Sequence, residues 1–190
     1  MSDAAPLLRD VFGFDTFRPG QEEIVQAVTM GENVLAIMPT GGGKSLCFQL
    51  PALIREGVTV VISPLIALMR DQVRALQEAG VAAGALTSGN TPEETEAVWD
   101  ALEAGRLKLL YMAPERLGAG SAMGMLRRIG VSMIAVDEAH CVSQWGHDFR
   151  PDYLRIGELR RALDVPLAAF TATADAETQD EIVEKLFDGV

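Results

Sequence analysis

Apolar residues in this chain fall into two patterns. Short, mainly apolar runs occupy 33–37, 58–62, 82–86, 107–112, 131–136 and 166–170, the one at 58–62 β-branched throughout. Such runs, bounded by Gly, Pro, Ser or Asn, predict strands covered on both faces. Between them the apolar positions recur at helical spacing. Leu7, Leu8, Val11 and Phe12 mark a short helix, and further helices are predicted over 22–28, 46–54, from a Ser63-Pro64-Leu65 cap through 77, over 92–105, and over 175–187. Gly118, Gly120 and Gly124 loosen the segment before a helix ending at Arg127 and Arg128. Gly146 and Pro151 make 141–153 a loop. Strands alternating with helices predict an α/β fold, a mostly parallel sheet with helices on both faces.

With 190 residues, 48% of them hydrophobic, the chain fits one domain with a full core. No apolar run approaches membrane-spanning length and no signal-peptide pattern opens the sequence, so a cytoplasmic protein without a membrane partner is expected. Cys47 and Cys141 are isolated and have no metal-ligand spacing. A net charge of −11 excludes a polycationic surface, so any nucleic acid contact has to be local.

The first candidate site is Met38-Pro-Thr40-Gly41-Gly42-Gly43-Lys44-Ser45, set between a predicted strand and a predicted helix. Three glycines let successive backbone N–H groups converge on phosphate oxygens, and the helix adds its positive end. Lys44 then reaches the outer phosphates as a point charge, and the Ser45 hydroxyl holds Mg²⁺. The strict pattern has Gly where this chain has Met38.

The second is Asp137-Glu138-Ala139-His140, at the end of the strand predicted over 131–136. Carboxyl ends of parallel strands line the ligand crevice, which puts Asp137 beside the phosphate loop as a Mg²⁺ ligand. Glu138 is then placed to orient or deprotonate water.

Other residues carry two readings each. Gln21 enters a helix after Pro19-Gly20 and is either an adenine-reading amide or a surface cap. Arg70 and Arg74 touch phosphates or form a solvated face. Trp145, Phe149, His147 and Arg150 form a base-stacking loop, or their rings pack into the core. Thr171 and Thr173 relay through His140, or belong to the N-cap region of the helix that follows.

The order Phe17-Arg18-Pro19-Gly20-Gln21, Met38 to Ser45, Ser63-Pro64-Leu65, Ala113-Pro114-Glu115-Arg116-Leu117, Asp137 to His140, the aromatic loop and Phe170-Thr171-Ala172-Thr173-Ala174 resembles the first motor domain of RecQ-family DNA helicases. The resemblance covers about 12–175. It implies a RecA-like P-loop NTPase fold, with ATP and Mg²⁺ as cofactors. It also implies single-stranded and duplex DNA as partners, 3′ to 5′ translocation and unwinding. Catalysis falls to Lys44, Asp137 and Glu138. The nucleotide falls to Phe14, Arg18, Gln21, Thr40, Gly41, Gly42, Gly43, Lys44 and Ser45, with Ser45 and Asp137 on the metal. DNA contact or coupling falls to His140, Ser143, Gln144, Trp145, His147, Phe149, Arg150, Thr171 and Thr173. The second motor domain, with its arginine finger, and the family's C-terminal modules are expected to lie outside these residues. An RNA-dependent ATPase of the Asp-Glu-Ala-His type and a nucleotide-binding module without turnover are the alternatives.

Overall fold

The six apolar runs pair as one all-parallel sheet in the computed structural model, which describes residues 4–39, 43–87, 89–118, 120–144, 148–172 and 175–189. The elements are α1 (Ala4–Asp10), α2 (Gln21–Thr29), β1 (Val34–Ile37), α3 (Leu46–Ile54), β2 (Val58–Ile62), α4 (Ile66–Glu78), β3 (Ala83–Leu86), α5 (Pro92–Glu103), β4 (Leu109–Met112), α6 (Gly120–Ile129), β5 (Val131–Val136), α7 (Leu154–Leu163), β6 (Leu167–Thr171) and α8 (Ala176–Phe187). Helices α2, α3 and α4 cover one face around Phe48, Met69, Tyr111 and Phe170, and α1 packs on α2 and α3 through Leu8. Helices α5 to α8 cover the other, around Ile62, Leu126, Val136, Ile156 and Ile182.

Strand order is β1-β6-β5-β2-β4-β3. The last strand in sequence is therefore inserted beside the first, with Ile37 in register with Thr171 and Val136 with Ala169. This order puts the carboxyl ends of β1, β6 and β5 side by side, and the loops that carry chemistry leave from those three ends. The ladder continues past the strands: Met38 N–H donates to Thr171 O at 2.9 Å, and Asp137 N–H donates to Ile62 O at 2.9 Å.

Four local expectations change. Helix α7 follows the aromatic loop directly, where no helix was expected; Ile156 and Leu159 bury one of its faces. Gly157 lets it lie against α8, since a Cβ there would stand 2.3 Å from Lys185 O. Helix α6 begins at Gly120 despite its glycines. Ser63 does not cap α4; its Oγ accepts from Leu65 N–H at 3.3 Å within the turn before the helix. Arg74 is exposed beside Asp71 at 3.6 Å, the solvated face, whereas Arg70 reaches Thr87 and Asn90 at 3.5 Å. Among the described residues, no helix is long and apolar enough to cross a membrane.

Candidate active site

The turn from β1 into α3 explains why Met38 replaces the expected glycine. Its side chain is buried against Cys47 of α3, 3.9 Å from sulfur to sulfur, so this position serves the core. Residues Thr40, Gly41 and Gly42 lie outside the described residues. Gly43 has φ +81°, and a Cβ on it would stand 2.1 Å from Gln21 Nε2. A side chain here fails on both counts. Ser45 stands at the start of α3 and makes no side-chain cap hydrogen bond.

Lys44 crosses from this turn to the end of β5. Its Nζ is 3.8 Å from Asp137 Oδ1 and 3.8 Å from Glu138 Oε1. Those separations allow Coulomb attraction but exceed hydrogen-bond length. Asp137 is buried, and burial raises its carboxyl above the ordinary Asp range; Lys44 opposes the shift and Glu138 adds to it. Its carbonyl accepts from the buried Tyr153 hydroxyl at 2.8 Å. Its Oδ1 accepts from Glu138 N–H at 3.0 Å.

Glu138 has φ 55° and ψ 45°, a left-handed conformation uncommon for a residue with a long side chain. Strain of this kind persists only where surrounding structure imposes it. Here it turns the chain out of the strand into a short 3₁₀ turn, Ala139–Val142. His140 follows in that turn. Its Nδ1 shares a 2.8 Å hydrogen bond with Thr171 Oγ1 at the end of β6. Its Nε2 is 3.4 Å from both Glu138 Oε2 and Asp148 Oδ2.

Both the sequence and the fold have counterparts among known proteins. The DEAD/DEAH box helicase family pattern matches residues 18–182. The chain belongs to that family. It is 49% identical over 184 residues to the ATP-dependent DNA helicase RecQ of Haemophilus influenzae, covering 96% of this chain and 30% of the relative. It is 50% identical over 186 residues to the protein of that name from Bacillus subtilis, covering 96% and 32%. The chain thus spans about a third of the length of these curated relatives. The crystal structure of the Pyrococcus furiosus Hef helicase domain superposes with a TM-score of 0.70 at 25% identity, over 94% of this chain and 37% of that one. The sheet is thereby of the RecA-like kind.

In this DEAD/DEAH box domain, Gln21 is buried at the start of α2, which rules out the surface-cap reading. Its Oε1 accepts from Arg18 N–H at 2.7 Å and its Nε2 donates to Gly43 O at 3.2 Å. It ties the Phe17–Gln21 motif to the phosphate turn. Phe14 is half exposed, and with Phe12, Arg18, Gln21, Gly43 and Ser45 it lines a cavity of about 150 Å³. Burial pushes Cys47 up to about 12 and Cys141 to about 11, so both stay thiols.

In the aromatic loop, Trp145 and His147 lie outside the described residues, as does Thr173. Gln144 and Arg150 are exposed and Phe149 is half-buried. Ser143 is buried and its hydroxyl is engaged with Glu181, so it faces inward and not toward solvent. Thr171 is buried on His140, while α8 is capped by Asp175, whose carboxylate accepts from Thr178 N–H at 2.8 Å. That removes the cap reading for Thr171.

Three residues of the site carried no motif signal. Tyr153 and Asp148 stand within the aromatic stretch, and their spacing there matches no ligand or catalytic pattern. Glu181 sits in an acidic helix, where nothing in the sequence sets it apart from its neighbours.

Proposed function

We propose that this chain is the ATP-binding half of a cytoplasmic ATP-dependent DNA helicase. The complete enzyme couples ATP hydrolysis to 3′ to 5′ movement along a single strand and to duplex unwinding. The observation that carries the reading is Lys44 standing 3.8 Å from each of two carboxylates without hydrogen-bonding either. An ammonium so placed can shift onto phosphate oxygens.

The residues fit Mg-ATP. Asp137 is a buried carboxylate that one ammonium does not bring down to its ordinary range, which suits a divalent cation. The Ser45 hydroxyl is not used as a helix cap. When bound, Mg²⁺ would neutralise charge on the outer phosphate oxygens. Gly43, with Thr40, Gly41 and Gly42 beside it in sequence, would supply backbone donors, and Lys44 a positive charge. Phe14 and Arg18 would flank the base, and Gln21 would read its edge. Glu138 would orient and deprotonate water, its carboxylate steered by His140, which Thr171 holds from β6.

Gln144, Phe149 and Arg150, with Trp145 and His147 next to them in sequence, would meet single-stranded DNA locally, as a strongly acidic domain requires. Asp148 beside His140 offers a connection from that loop to Glu138. A second motor domain would supply the arginine that completes phosphoryl transfer, so turnover by these residues alone should be slow.

Calorimetry tests the nucleotide half of this reading. Lys44→Ala should weaken Mg-ATP binding about 10- to 100-fold, the worth of a charge-assisted contact, with an unchanged far-ultraviolet spectrum. Unchanged affinity would overturn it. Turnover with the second motor domain supplied should rise with single-stranded DNA and not with RNA.

A further inference from the structure

Two donors at the foot of the aromatic loop converge on one carboxylate that no motif singles out. Ser143 Oγ donates to Glu181 Oε1 at 2.7 Å, and Gln144 N–H donates to Glu181 Oε2 at 3.1 Å. Both oxygens are used, each by a different one of two consecutive loop residues. Such a pairing fixes orientation as well as position. The far end of the loop is tied back by Arg150 N–H donating to Cys141 O at 2.9 Å. Within it, Asp148 stands 3.4 Å from His140, which stands 3.4 Å from Glu138. Ser143 and Gln144 are thus held by α8, and Asp148 connects through His140 to the candidate catalytic carboxylate. Strand β6 reaches His140 through Thr171, and α8 reaches Ser143 and Gln144 through Glu181.

We infer that Glu181 is a positioning residue for single-stranded DNA: it holds the foot of the aromatic loop in its binding arrangement before DNA arrives. The inference rests on the proposed reading of that loop as a DNA contact. A loop ordered in advance loses less conformational entropy on binding, so its anchor adds affinity without touching the ligand. Charge gives the idea a sharp edge. Removing an anion near a polyanion should tighten binding if charge alone acts. Removing the anchor should weaken it.

The test uses the 190-residue chain with Glu181→Ala, Glu181→Gln and Ser143→Ala. Three quantities are followed: exchange of the Gln144 amide by nuclear magnetic resonance, affinity for oligo-dT by anisotropy, and Mg-ATP affinity by calorimetry. In Glu181→Ala the Gln144 amide should exchange about tenfold faster and oligo-dT affinity should fall about three- to tenfold, the worth of one or two hydrogen bonds. Mg-ATP affinity should stay put, which a general loss of structure would not allow. Glu181→Gln should restore both, because its carbonyl oxygen accepts from Gln144 N–H and its amide donates to Ser143 Oγ. Ser143→Ala keeps the charge and should reproduce the pattern at smaller size, even where Glu181→Ala fails to fold. Unchanged Gln144 exchange, or tighter oligo-dT binding in Glu181→Ala, would overturn the inference. A wild-type chain that ignores oligo-dT would refute the DNA reading, while Gln144 exchange would still judge the anchor.

Discussion

The carboxyl end of β5 and the free edge of β3 are both finished by polar side chains, in opposite ways. At β5 the groups are charged, their separations are long, one carboxylate is pushed upward by burial, and Glu138 has left-handed backbone. At β3 the groups are neutral amides at short range. Gln77 Nε2 donates to Ala83 O and Asn90 Nδ2 donates to Ala85 O, each at 2.8 Å. The carbonyls of Ala82 and Leu86 point inward to β4, accepting from Lys108 and Ala113 N–H. Ala83 and Ala85, alternating with them, point outward, where an unpaired strand edge would template association. One region is satisfied by itself and the other is not. Unspent electrostatics makes the β5 end the candidate place for a ligand, while at β3 the outward carbonyls are already taken.

The largest effect that sharpens this contrast is on turnover. Glu138→Gln keeps the shape and removes the proposed base, so Mg-ATP should still bind by calorimetry. Turnover, with a second motor domain supplied, should fall about 10²- to 10⁴-fold. Turnover close to wild type would assign the water to another residue and strip the β5 end of its chemical meaning.

The edge gives the next effect. Gln77→Ala with Asn90→Ala uncovers two carbonyls and also releases the Thr87 hydroxyl from Asn90 Oδ1, so denaturant unfolding should show a loss of about 1.5–4.5 kcal/mol, three net hydrogen bonds. Sedimentation should show more self-association than in the wild type. If the double variant is as stable and as dispersed as its parent, the two amides do not guard the edge.

The smallest effect is a pH dependence of the chain without nucleotide or divalent ion. Burial, the largest influence on Asp137, raises its carboxyl in the fold. As pH climbs past the ordinary Asp value of about 3.9, the unfolded chain ionises first and the folded chain loses stability until its own raised value is passed. Asp137→Asn carries no such loss. It should melt above the wild type at pH 7, and the gap should close as pH falls to the ordinary Asp value of about 3.9. A variant that melts lower at pH 7 would mean that the pairing with Lys44 outweighs the cost of burying Asp137.

Much of this was legible residue by residue. The unbroken run Val58–Ile62 could only be a strand covered twice, and it is buried at every position. Gly43 was readable as a backbone requirement. Helix α7 had a signal in Ile156, Leu159 and Leu163, but the glycine and proline of the preceding loop obscured where regular structure resumes. Glu181 had none, because a carboxylate that accepts from a loop looks in sequence like any other charge on an acidic helix. Met38 was readable as a departure from the phosphate-loop pattern, but not as a core residue.

By itself, the sequence determined most of the elements, their alternation and the short stretches that are candidates for binding phosphate or a metal. Those depend on side-chain period and backbone freedom, which act over a few residues. Only the tertiary structure decided that β6 slips between β1 and β5. Strand neighbours are chosen by which faces two layers of helices can bury together, a choice no local pattern encodes. That insertion sets His140 on Thr171, Lys44 against Asp137 and Glu138, and Glu181 under the aromatic loop.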